Sequence, residues 1–286
     1  MVTIRLAFST CPNDTFLFYA LVKGKVSIPG IRFEVHLADI LELNTIAKQG
    51  EADLVKVSCN ALGYLFPNWY LLRTGSAMGK GCGPLLITNQ DNTEDSWQSG
   101  IVAIPGKMTT ANLLLSARWP ELKQKKEVLF SDIIPAILSG EVQAGLLIHE
   151  QRFTYTQYPV RCVEDLGEWW ENTTSLPIPL GAIVASRTLD PDLVRQLEWA
   201  IGESVRYAWQ NIEEVMLYVS QYAQEMSTEV MKLHIDLYVN NFTENMGVSG
   251  AIALDRLLKT GTEEGFYPEV PNVENDLWIS NSKITQ

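Results

Sequence analysis

The sequence has little of what holds small secreted or metal-dependent folds together. Its four cysteines, Cys11, Cys59, Cys82 and Cys162, form no C-x-x-C pair and have no histidine at metal-ligand spacing. Neither a disulfide framework nor a zinc module is therefore expected. A chain of 286 residues builds a sufficient core without such staples, so free thiols are the expectation. No apolar run approaches the roughly 18 residues that cross a bilayer. Basic residues are scarce as well: 22 Lys+Arg against 34 Asp+Glu give a formal net charge of -12. That argues against nucleic acid or a membrane surface as partner, although helix N-termini and a few basic groups can still hold an anion locally. The opening Met1-Val-Thr-Ile-Arg-Leu6 lacks the basic and long apolar regions of a secretory leader, and a cytoplasmic protein is expected. What is present is ordinary globular composition, 46% hydrophobic and 20% charged. It suits two domains or one large α/β domain.

The chain repeats its own layout. Ile4–Ser9 reads as a buried strand, a polar loop runs from Thr10 to Thr15, and Phe16–Val22 has helical spacing, with Asn13 or Asp14 as N-cap. Ile31–Leu37 alternates apolar and polar as a half-buried strand does. Ile40–Lys48 is helical and stops at Gly50, and Ala52–Ser58 is a further strand. From residue 100 the order recurs: strand Gly100–Ile104, polar loop Pro105–Thr110, helix Ala111–Arg118, strand Val128–Phe130, helix Ile133–Leu138 stopped at Gly140, and strand Ala144–Ile148. Gly50-Glu51 and Gly140-Glu141 hold the same place in the two copies. Such alternation implies βαβ units in two similar lobes, with ligands beyond the carboxyl ends of the strands. The loops at those ends are 9–15, 56–60, 105–110 and 149–152, and facing lobes would line one cleft with all four. Leu176–Gly181 reads as a stiff connection and Ala182–Ala185 as a return strand. Helices are expected from Asp190-Pro191 to about Trp209, then over Ile212–Met226, Ser227–Val239 and Ala251–Lys259.

His149 is the sharpest single signal. It follows a strongly apolar strand at the end where sites form, and a neutral imidazole there can accept a proton. His36 reads as a surface residue and His234, in a helical stripe, as structural. Thr109 and Thr110 open a helix whose hydroxyls and free N–H groups suit a carboxylate. Lys56, Val57 and Ser58 end the matching strand of the first copy, and Asn13 lies in the loop of the other strand there. Asp14 reads as a cap. The glycine-rich run Gly79–Pro84 suits a sharp turn, and of Trp169 and Trp170 at most one can face the cleft.

Ser9-Thr-Cys-Pro-Asn-Asp-Thr-Phe16, Lys56-Val-Ser58, Pro105-Gly-Lys-Met-Thr-Thr-Ala111, Ile148-His-Glu-Gln-Arg-Phe-Thr-Tyr155, Leu176-Pro-Ile-Pro-Leu-Gly-Ala182 and Tyr238-Val-Asn-Asn-Phe242 resemble, in matching order over nearly the whole chain, the 1,4-dihydroxy-6-naphthoate synthase family of menaquinone biosynthesis. The resemblance implies a type II periplasmic-binding-protein-like α/β fold. Each of its two lobes would be a mixed, mainly parallel sheet flanked by helices, with a cleft between. The larger lobe is expected over 1–88 and 184–286, the smaller over 89–183. The resemblance further implies a lyase of the futalosine pathway that converts cyclic dehypoxanthine futalosine to the naphthoate without metal or cofactor. It makes His149 the catalytic base, and Lys56, Val57, Ser58, Thr109 and Thr110 substrate contacts, to which the reading of the first loop adds Asn13. The partner is a small-molecule carboxylate, and a homodimer stays open. The rival readings are the chorismate dehydratase of the same pathway and a non-catalytic small-carboxylate-binding protein.

Overall fold

A computed structural model of the chain describes residues 1–93, 96–223 and 227–279. Along the chain, β1 (Val2–Phe8), α1 (Pro12–Val22), β2 (Ile31–Leu37), α2 (Ile40–Gln49), β3 (Leu54–Ser58), α3 (Leu62–Leu65), β4 (Trp69–Leu71) and β5 (Ala77–Gly79) come first. Next are β6 (Leu85–Asn89), β7 (Val102–Ile104), α4 (Thr110–Arg118), β8 (Lys125–Glu127), α5 (Ile133–Leu138), β9 (Ala144–Leu147), α6 (Gln151–Thr154), β10 (Val160–Asp165) and α7 (Leu166–Thr174). The chain then returns through β11 (Ile178–Ser186) to α8 (Pro191–Gln210), α9 (Ile212–Val219), α10 (Thr228–Tyr238), α11 (Asn241–Glu244) and α12 (Gly247–Glu263).

Two sheets result. One has the order β2-β1-β3-β11-β4 with β5 also on β11, and the other β10-β6-β9-β7-β8. Both are mixed, as expected. The parallel pairs, however, are confined to β2-β1-β3 and β9-β7-β8, the stretches where helices cross over. β11 and β6 enter from the other lobe and run antiparallel to their neighbours, so the parallel share is smaller than the repeat suggests. By sheet membership, we place the lobe divisions between β5 and β6 and before β11, a few residues from 88/89 and 183/184. The segment that leaves the first sheet after β5 touches the start of α7 backbone to backbone: a Cβ on Gly83 would sit 2.2 Å from Gly167 Cα.

Local chemistry explains the elements. Asp39 caps α2 through Leu41 N–H and Glu42 N–H, and Gly50 ends it at φ 71°. Gly140, at φ 77°, repeats that stop after α5. Asp190 caps α8, with Pro191 in its first turn. Helix α1 is buried from Pro12 to Leu21 because it packs against α8, α9 and α10 as well as a strand, which is why it is apolar all round.

The expected elements need five corrections. Helix α1 starts at Pro12 with Cys11 in the N-cap position. Proline at the first helical position sets that start, and Asn13 and Asp14 turn their side chains elsewhere. The strand expected at Val128–Phe130 is β8, displaced to Lys125–Glu127, a polar edge strand with no apolar alternation to reveal it. The stiff connection at Leu176–Gly181 is mostly strand: Pro179 sits beside a bulge in β11, where a ladder tolerates it. Helix α9 ends at Val219, and residues 224–226 of its expected range lie outside the described residues. Helix α12 extends beyond its expected range at both ends. Among the described residues no helix is long and apolar enough to cross a membrane.

Candidate active site

The carboxyl ends of β1, β3 and β9 and the N-terminus of α4 converge on one cleft between the sheets, closed from the side by α10 and β11. Asn13, Lys56, Val57, Ser58, Thr109, Thr110 and His149 all line it. The free volume is about 90 Å³, room for a handful of waters.

The floor is a buried polar network. Lys56 Nζ lies 3.1 Å from Asp14 Oδ1, with the two side chains 5% and 4% exposed, and it donates to Gly75 O at 2.7 Å. Lys56 therefore does not snorkel. Asp14 is no cap: it also accepts from Ser9 Oγ at 2.7 Å and from Asn13 Nδ2 at 2.9 Å. Ser58 is held by buried Asn44, whose Nδ2 donates to Ser58 Oγ at 3.0 Å while its Oδ1 accepts from Ser58 N–H at 2.9 Å. The Ser58 hydroxyl proton is left for a ligand.

The threonine pair is engaged differently from the expectation. Thr109 Oγ1 donates to Gly106 O at 2.7 Å and accepts from Asn112 N–H, capping α4. Thr110 Oγ1 donates to Leu180 O and accepts from Asn60 N–H, both at 3.2 Å, tying the two lobes together. Neither hydroxyl proton is spare. What this helix start offers an anion is the N–H groups of Thr110 and Ala111, which find no acceptor among the described residues.

His149 stands opposite, half-buried at the end of β9. Its backbone is left-handed, φ 57°, a conformation costing a side-chain-bearing residue about 1 kcal/mol. Phe130 packs on its ring at 5.1 Å, and a second imidazole, His234, lies nearly parallel at 6.3 Å. His234 is a correction: it was expected to be structural, but it is part of the cleft wall. The inward stripe of α10 faces the cleft there, and the same period serves core and cleft alike. His234 Nε2 lies 2.9 Å from Asn13 Oδ1. Because the Asn13 amide group is turned to Asp14, Nε2 carries the proton. His36 is on the surface beside Glu42, as expected.

Burial lowers the pKa of His149 to about 4, with Asp14 opposing and Lys56 reinforcing. His234 is pushed well below its usual value by burial and then by His149. Both rings are thus uncharged in the folded chain. Unfolding releases them to bind protons below about pH 6.5, so their stabilisation is full above that pH and is lost as pH falls below it, for His149 as pH falls toward about 4. For His149 the shift is worth about 3 kcal/mol. Urea midpoints at pH 7 and pH 4.5 should show the loss, and it should shrink in a His149→Asn chain.

Some cleft-wall groups gave no clear signal in the sequence. The turn at Cys82–Pro84 lines the cleft, its Gly83 carbonyl held by Arg152, which is itself paired with Asp165 at 2.6 Å. Tyr238 donates to Cys82 O. Neither Trp169 nor Trp170 faces the cleft: Trp170 is a core residue donating to Pro177 O, and Trp169 packs on that core.

Comparison with known proteins bears on the family and the fold. The family model for menaquinone biosynthesis matches residues 4–263. A relative from Streptomyces coelicolor, named 1,4-dihydroxy-6-naphthoate synthase, is 42% identical over 273 residues, covering 93% of this chain and 95% of its own. One of the same name from Thermus thermophilus is 42% identical over 271 residues, covering 95% and 98%. A crystal structure of an Archaeoglobus fulgidus protein, 34% identical, has a TM-score of 0.86 over 92% of this chain and 98% of its own. A Candida albicans protein described as having the generic periplasmic binding protein fold has a TM-score of 0.71 at 13% identity, over 96% and 93%. That last likeness is one of fold, and it is the fold expected.

Proposed function

The chain belongs to the menaquinone biosynthesis family, and from that premise we propose that it is a carbon–carbon lyase converting cyclic dehypoxanthine futalosine to 1,4-dihydroxy-6-naphthoate. The observation that carries this reading is an uncharged imidazole, His149, sharing one cleft with the bare N–H groups that start α4. The substrate carboxylate takes the N–H groups of Thr110 and Ala111, which need an acceptor and lie at the positive end of the helix. Ser58 donates its hydroxyl proton to a substrate oxygen. His149 removes a proton, the electron pair left behind drives C–C cleavage, and the sugar-derived fragment departs as the ring becomes aromatic. Aromatisation supplies the driving force. The protein has to orient the acid, hold the base neutral and exclude water, and a cleft that shuts on its ligand does all three.

The test is incubation with cyclic dehypoxanthine futalosine, followed by detection of the naphthoate. Turnover of chorismate instead would overturn the assignment, and so would binding of the futalosine derivative with no product. The pH profile gives a further expectation. The base must be neutral, and in the free protein it protonates near pH 4. The acidic limb of kcat/KM therefore falls near 4, well below the 6.5 of an ordinary histidine.

A further inference from the structure

Behind the cleft wall, side chains of another kind meet. Among the described residues, Cys11 Sγ, a ring nitrogen of His149 and a carboxylate oxygen of Glu150 lie within 4.8 Å of one another. Cys11 and Glu150 are 2% and 4% exposed, while His149 opens to the cleft. One ligand type comes from the N-cap position of α1 and the others from the loop after β9, so no spacing in the sequence could have brought them together. A fourth donor stands at the edge. His234 Nδ1 is 4.0 Å from Glu150 Oε2, has no hydrogen-bond partner and belongs to a ring that is 1% exposed. Its tautomer is fixed: Nε2–H is given to Asn13 Oδ1, which leaves the lone pair on Nδ1. A buried imidazole with one nitrogen held by an amide carbonyl and the other bare is how proteins hold a metal-binding histidine.

We propose that Cys11, His149 and Glu150, with His234 as fourth ligand, form a site for a thiophilic divalent cation, Zn²⁺ foremost, and that occupancy shuts off the reaction. One thiolate, two imidazoles and one carboxylate are a zinc donor set, whereas Mg²⁺ and Ca²⁺ require oxygen. A thiolate and a carboxylate cancel the ion's two charges, which a buried site demands. Binding breaks the Cys11 S–H bond, forms a Zn–S bond and releases the proton to solvent. No electron is transferred. Zinc–ligand distances of about 2.0–2.3 Å set donor atoms about 3.5 Å apart, so the group draws in by about an ångström. The ion enters from the cleft, through His149. Binding is independent of the reaction. Only the shut-off rests on the proposed function, because the lone pair that takes the substrate's proton is then held by the ion.

The experiment uses the full metal-free chain. Equilibrium dialysis against ZnCl₂ should give one ion per chain. Cys11→Ser, which keeps a good capping residue at that position, and the isosteric Glu150→Gln should each weaken binding at least about 10-fold, the smaller loss seen on removing even an outer-shell partner. With Co²⁺ in place of zinc, a sulfur-to-cobalt charge-transfer band should appear in the original chain and be absent from Cys11→Ser. Zinc should abolish turnover of the original chain, and EDTA should restore it. No stoichiometric uptake, or equal affinity in the original chain and both variants, overturns the site. Zinc bound through Cys11 with turnover undiminished overturns the shut-off, because His149 cannot then both ligate the ion and act as the base.

Discussion

Replacing Lys56 with methionine should cost about 3–5 kcal/mol of folding stability. The reason is what stays behind. Asp14, its carboxylate partner at 3.1 Å, is 4% exposed on its side chain, and with the ammonium gone it keeps hydrogen bonds from Ser9 and Asn13 but no countercharge. The Gly75 carbonyl loses its donor as well. A buried pair adds little net stability over apolar residues of the same shape, whereas half of one is costly. The double change Lys56→Met with Asp14→Asn should therefore recover part of the loss, because no lone charge is left. Urea unfolding of the three chains checks this. A cost under about 1 kcal/mol for the single change would mean that water reaches the pair and that it behaves as a surface bridge. The change also bears on the site. Lys56 helps to hold the His149 pKa down while Asp14 works the other way, so losing Lys56 alone should raise that pKa and move the acidic limb of activity upward.

Much of this arrangement could be read from residue patterns. The period-2 strand Ile31–Leu37, the two helices ending on Gly50 and Gly140, and the aspartate caps of α2 and α8 are local signals, fixed by dihedral preference and capping chemistry within a few residues. The loop ends were legible too, because a βαβ order dictates where clefts form, and that alone singled out His149. Pairings between elements were not legible. Asp14 sits in the first turn of α1 and Lys56 within β3, and nothing in either segment says that one neutralises the other. Asn44, which orients Ser58, lies on a helix whose pattern records only its buried face. His234 occupies a stripe position indistinguishable from core, because helical period shows which side is inward without showing whether packing or ligand lies inside. The threonine hydroxyls could be recognised as capping groups, but their actual acceptors, Gly106 O and Leu180 O, depend on where another lobe's strand passes.

The larger expected effect on function is at His149. Changing it to asparagine should lower kcat by about 10²- to 10⁴-fold, the usual worth of a positioned general base. Asparagine is the suitable replacement because it tolerates the left-handed backbone that residue 149 adopts. The fold and the opposite wall, with the α4 N-terminus and Ser58, should then survive intact. Substrate affinity should change by no more than a few-fold, since the carboxylate is held elsewhere. A loss of binding equal to the loss of rate would instead make His149 a substrate contact that moves no proton.

The decisive measurement is a pair on that one variant: the dissociation constant for cyclic dehypoxanthine futalosine, and the amount of naphthoate formed in a single turnover at saturation. An uncharged imidazole acting as base predicts near-native binding with product formation slowed at least about 100-fold. Undiminished product formation by His149→Asn, with the substrate bound as before, would contradict it.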